Sequence, residues 1–291
     1  MKTKNYYGLM AMAIAMMTAG CTQEADEFGT EEQGEVVTTF AVGGDFELPA
    51  FKAMTRGELT ADGKAMTDLW VLDYKDGSLV QQLHQTSEDE DFGSPTLALS
   101  LGQHHIYFVC SRGTTPTLST DAHSITWATT SDTFYKDYSA NVTSGSTANR
   151  SVTLDRVATK LGITISDAIP AGTAYVEITP ATWYYGIDYL TGEATAAQTA
   201  GTRTINIPES RIGKTGTNLN IFGLSGATEW TTDVTVTARD GEDNILGTAT
   251  ITGAPFKANR ATTYSGSLFS AGGGFAMTLT DAWDDDYLGS W

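Results

Sequence analysis

The chain has 291 residues, 17 basic and 35 acidic side chains, a formal net charge of −18 and 41% hydrophobic residues. That length suits one large domain or two of ordinary size, with apolar content enough for a packed core. So acidic a surface repels nucleic acid and anionic membrane, and no basic cluster offers a phosphate site.

Lys2 and Lys4 precede an uncharged run from Gly8 to Gly20, which ends in Thr18-Ala19-Gly20-Cys21. The run is shorter than the roughly 20 apolar residues a bilayer span needs, so residues 1–20 read as a secretory signal. Cys21, directly after Ala-Gly, resembles the end of a bacterial lipobox, in which the thiol is acylated and becomes the first residue of the mature chain. Thr18 stands where that motif usually has Leu. An ordinary cleaved signal with a chance Cys is the alternative. An acylated Cys21 would place the protein on a membrane surface. Residues 21–35 carry Glu24, Asp26, Glu27, Glu31, Glu32 and Glu35 and few apolar groups. Such a segment cannot offset its ordering entropy and reads as a tether.

From residue 36 onward the sequence reads as β. Val36–Val42 and the doubly apolar Leu69–Tyr74 are strands, the second ending in the Lys75-Asp76-Gly77-Ser78 hairpin turn. Leu97–Leu101 and His104–Cys110 follow, joined at Gly102. Within the latter, Cys110 alternates onto the face of Ile106 and Phe108 and reads as a small core hydrophobe. If Cys21 carries lipid, Cys110 has no disulfide partner. Ser139–Asn149 reads as a loop. Further strands are Ser151–Leu154, Leu161–Ile165, Ala174–Thr179, Arg203–Ile207, Asn218–Phe222, Asp233–Ala238, Ile245–Thr252, Thr262–Phe269 and Phe275–Leu279. So many strands exceed one small sandwich, so the reading is two β-sandwiches in series, residues 36–156 and 157–291.

The usual catalytic and metal patterns do not appear. His104 and His105 point to opposite faces of a strand and cannot share a metal. Neither HExxH nor CxxC occurs. Gly213-Lys214-Thr215 lacks the leading Gly and following helix of a phosphate loop. Gly223-Leu224-Ser225-Gly226-Ala227 lacks the second Gly and the strand–turn–helix context of a nucleophile elbow. The acidic run Glu88–Asp91 reads as a solvated turn rather than a calcium site. Asp281, Asp284, Asp285 and Asp286 read as a soluble tail. No enzyme and no cofactor is expected. Trp183-Tyr184-Tyr185 is more ambiguous. Three consecutive aromatics in an extended chain cannot all face one core. The trio is either a partly exposed platform for sugar or protein, or two inward rings flanking an edge-capping Tyr184.

The order of these features resembles the fimbrillin family of Bacteroidetes-type (type V) pili. The segments that carry the likeness are the lipobox at Cys21, the acidic tether, Met66–Tyr74, the junction Leu154–Ile165 with Arg156-Val157-Ala158-Thr159-Lys160, and the turn Asn259–Tyr264. The junction departs from the family's pattern by inserting Thr159. The resemblance implies two transthyretin-like β-sandwich domains and export as a lipoprotein. It also implies removal of an N-terminal strand by an arginine-specific protease and entry of a neighbour's C-terminal strand into the groove. Such strand addition works because an incoming backbone satisfies open edge hydrogen bonds while its side chains fill empty pockets.

On this sequence the cleavage candidate is Arg56 before Gly57, with a plain surface loop as the alternative, and the removable strand is 36–42. The donor face is Phe275, Met277 and Leu279, continued by Trp283; the alternative is that 275–279 closes its own sandwich. The expected function is a fimbrial structural or adhesive subunit whose partners are other fimbrial subunits and, through the lipid, the outer membrane. A surface glycan or protein is a further expected partner. The competing expectation is a glycan-binding surface lipoprotein of a carbohydrate-uptake system that uses Trp183, Tyr184 and Tyr185. A secreted hydrolase is the weakest reading, because no acid/base pair stands at usable spacing.

Overall fold

A computed structural model describes residues 34–44, 66–199, 201–270 and 274–280. Among them there is no α-helix, and the protein is all-β. The first body is a seven-stranded sheet in the order β3-β2-β5-β8-β9-β1-β4. Its strands are β1 (Glu35–Gly44), β2 (Asp68–Lys75), β3 (Ser78–Thr86), β4 (Thr96–Ser100), β5 (Gly102–Ser111), β8 (Thr133–Val142) and β9 (Asn149–Arg156). The Asp76-Gly77 turn joins β2 to β3 with both residues at positive φ, 52° and 75°, as a two-residue hairpin demands. The sheet wraps at β9, which pairs with β1 along residues 149–154 and with β8 at Asp155 and Arg156. Wrapping brings β1 and β4 over β2, β5 and β8 and encloses a core that includes Phe40, Leu69, Leu97, Phe108, Cys110 and Phe134. Cys110 thus lies with Ile106 and Phe108, as alternation predicts.

The second body packs two four-stranded sheets, β15-β10-β18-β19 and β14-β11-β16-β17. The first has β10 (Ala158–Ile165), β15 (Thr217–Leu224), β18 (Ala261–Gly266) and β19 (Phe275–Thr280). The second has β11 (Thr173–Pro180), β14 (Arg203–Asn206), β16 (Trp230–Asp240) and β17 (Ile245–Phe256). Alternation sets the faces: Val234, Val236 and Ala238 are buried on β16, and with Leu161, Ile163 and Phe256 they belong to a second core.

A fourth sheet, β13-β12-β7-β6, joins the bodies. Its strands β6 (Thr117–Ser119) and β7 (Ser124–Thr126) precede residue 156; β12 (Thr182–Asp188) and β13 (Ala194–Thr199) follow it. A third cluster, with Leu72, Tyr74 and Tyr107 from one side and Ile187, Tyr189 and Leu224 from the other, fills the space between the bodies.

Two expected element bounds are corrected. The loop expected over Ser139–Asn149 is only 143–148, because β8 stays paired with β5 as far as Gly102↔Val142 and buries Ala140 and Val142. The strand expected over Thr262–Phe269 ends at Gly266. There Asp167 accepts the backbone N–H groups of Leu268, Phe269 and Ser270 and turns the chain.

Candidate strand-exchange site

β1 lies between two partners of opposite sense. It runs parallel to β9, with Thr39↔Asn149 through Gly44↔Leu154, and antiparallel to β4, with Glu35↔Ser100 through Thr39↔Thr96. Its alternation is strict: Thr38, Phe40 and Val42 face the core, while Val37 is 62% exposed. Phe40 is fully buried and meets Phe108 and Tyr138 edge to face at 5.4 and 5.7 Å between ring centroids. Backbone bonds extend the grip beyond the ladders. Phe40 N–H donates to Pro95 O at 2.9 Å and Val42 N–H to Gly93 O at 3.0 Å. Thr39 N–H donates to Ala148 O at 2.7 Å. β4 has β1 as its one ladder partner among the described residues. A chain without β1 would therefore open a slot between β9 and β4, with two unpaired backbones and sockets shaped for Phe40 and Val42. Filling those sockets is worth about 1.5–3 kcal/mol for each side chain.

The C-terminal candidate is β19. It is the outer strand of its sheet and pairs antiparallel with β18 in unbroken register, from Ala261↔Thr280 to Gly266↔Phe275. The backbone positions of Met277 and Leu279 lie opposite Tyr264 and Thr262. Phe275 is partly buried against the second core. Cys21, Arg56, Gly57 and Trp283 lie outside the described residues.

The aromatic trio does not form an exposed platform. Trp183 has no exposed surface, donates its indole N–H to Phe222 O at 2.8 Å, and meets Phe256 edge to face at 5.0 Å. Tyr185 is buried beneath the Arg203 guanidinium, 4.4 Å from the ring centroid. Tyr184 alone stays partly exposed, against Trp230. The physical reason is that β12 lies between two bodies. Its odd-numbered rings enter the second core and Tyr184 borders the shared cluster.

Sequence reading missed two buried polar clusters that frame the first body. At the junction, Arg156 forks onto Asp132, with Nε–Oδ1 at 2.8 Å and Nη2–Oδ2 at 3.2 Å. Its Nη1 donates to Asn259 Oδ1 at 3.0 Å, and its guanidinium lies 4.7 Å from the Phe134 centroid. One side chain thus binds groups from both bodies. Near the start of β1, buried His104 bridges Asp73 Oδ1 at 2.7 Å and Ser100 O at 2.9 Å. Ser100 is also the residue opposite Glu35. Burial pushes the Asp73 carboxyl above the usual carboxylate range, although His104 and Lys75 pull it down. Arg156 was visible in the sequence as part of the junction motif. The pairings themselves carried no local signal, because the partners come from segments far apart in sequence: Arg156 with Asp132 and Asn259, and Asp73 with His104.

No family model matches the chain. No curated protein matches it in sequence. Solved structures do match. A Bacteroides ovatus protein described as a "putative adhesin" shares 9% identity over 81% of this chain and 88% of its own, at a TM-score of 0.50. A second Bacteroides ovatus protein of the same description shares 10% identity over 86% of this chain and 95% of its own, at 0.49. The tip fimbrial protein Mfa3 of Porphyromonas gingivalis, truncated at its C-terminus, shares 13% identity over 86% of this chain and all of its own, at 0.46. At such identities the likeness is one of fold, and the first of these structures carries it: this chain has the all-β architecture of that Bacteroides ovatus protein.

Proposed function

We propose that this protein is a fimbrial structural or adhesive subunit at the bacterial surface, and that it assembles by strand exchange rather than by turning over a substrate. The observation that carries the reading is the position of β1. It is the first described strand, it is the ladder partner on which β4 depends, and it is followed by residues 45–65, which contain Arg56. In this reading the exported lipoprotein is held by an acyl chain on Cys21 and is cut between Arg56 and Gly57. The strand β1 then leaves, and a neighbour's C-terminal strand takes its place between β9 and β4. The donor face is Phe275, Met277, Leu279 and Trp283. Residues 36–156 and 157–291 form its two domains. The fold shared with the Bacteroides ovatus protein supports a surface role of this kind.

The test is digestion of the secreted protein with an arginine-specific protease. Cleavage after Arg56 should appear together with SDS-resistant ladders, and Arg56→Ala should abolish both. Wild-type protein that is cut after Arg56 yet stays monomeric overturns the exchange mechanism. Intact-mass analysis of the cell-surface form reads the lipid on Cys21 and the mature N-terminus together.

A further inference from the structure

Residues 112–132 leave the first body after β5 and return to it at β8. Between those points their hairpin β6–β7 becomes part of the sheet that holds β12. β7 pairs with β12 through Thr126↔Gly186, Ile125↔Ile187 and Ser124↔Asp188. Backbone bonds prolong this ladder at both ends: Trp127 N–H donates to Tyr185 O and Tyr189 N–H to His123 O, each at 2.9 Å. The return path is fastened as well. Arg203 Nη2 donates to Ala128 O at 3.2 Å, and the Thr130 hydroxyl donates to Phe222 O. On the other side, the Trp127 indole N–H donates to Ser111 Oγ at 3.1 Å, which holds the excursion to the end of β5. Ile125 and Trp127 are buried in the cluster between the bodies.

Two bodies linked only by a short connection and side-chain packing are expected to move relative to one another. Here the covalent crossing is Val157 alone, between the end of β9 and the start of β10. A backbone ladder changes the mechanics, because reorienting the bodies would break paired N–H and C=O groups around buried Ile125, Gly186 and Ile187. We infer that the β6–β7 hairpin is a clasp: a strand addition carried out within one chain, which locks the two bodies into one rigid and cooperative unit. The inference stands whether or not the chain polymerises.

Calorimetry of the mature chain tests it. The wild type should unfold in one transition. Replacing residues 117–126 by a Gly/Ser linker of equal length should split that into two transitions. A single transition in the linker variant, or two in the wild type, overturns the clasp. If the linker variant fails to fold, the pair Ser124→Cys and Asp188→Cys decides, since these residues are directly opposed. Once oxidised, the pair should raise one undivided transition. Two transitions, or one that does not move, overturn the proposal.

Discussion

Arg156 pairs with Asp132 of its own body and reaches across the junction to Asn259. Its fork onto Asp132 is nearly closed to solvent, with side-chain exposures of 4% and 5%. Removing one member of such a pair strands the other, so Arg156→Ala should lose about 3–5 kcal/mol in chemical denaturation. Arg156→Lys should recover only part of that, because an ammonium cannot reproduce the planar fork or its seat over Phe134. The aromatic trio gives a second contrast at this scale. Trp183→Ala should cost about 3–5 kcal/mol by emptying a core site. Tyr184→Ala should cost far less, and neither effect should depend on added glycan in the same denaturation measurement. The sequence left this trio open for a physical reason. Strand alternation separates Trp183 and Tyr185 from Tyr184, but alternation alone does not say which face meets a second body. Cys110 was legible because its neighbours Ile106 and Phe108 leave one apolar face to join.

Elements divide into those that specify themselves and those made by their surroundings. β2, β5, β10 and β16 are rich in β-branched or aromatic residues, and their strand character was plain from sequence. β6, β7, β12 and β13 were not named in advance. Thr117-Leu118-Ser119 and Ala194-Thr195-Ala196-Ala197-Gln198-Thr199 carry little intrinsic preference and are strands because a partner is present. β1 belongs to the first class, and Phe40→Ala should destabilise the protein by about 3–5 kcal/mol, read by denaturation. The turn after β18 has an acid-sensitive fastening. Burial opposes ionisation of Asp167, but the N–H groups of Leu268, Phe269 and Ser270 outweigh it and hold its carboxyl below the ordinary range. Its contribution is therefore complete above the unfolded value of about 4 and is lost as pH falls through the lower, folded one. Protection of the Leu268 and Phe269 amides against hydrogen exchange, relative to the intrinsic rate at each pH, should fall below that point, and Asp167→Asn should remove the step.

At the scale of the whole molecule, the all-β class followed directly from composition and alternation. The sheet that joins the bodies did not, since Ile125↔Ile187 is a pairing between distant segments that no local pattern marks. The same distance governs how the protein is made. β1 is the first described strand to leave the ribosome, yet its antiparallel ladder must wait for Ser100 and its parallel one for Asn149. Contacts so remote in sequence are slow to close. That order lets β2, β3, β5 and β8 pair before β1 can dock on β9. Pulse-labelled exchange during refolding should find the Phe40 and Val42 amides among the last to be protected. Late docking of β1 would leave the seat between β9 and β4 open for part of the folding route.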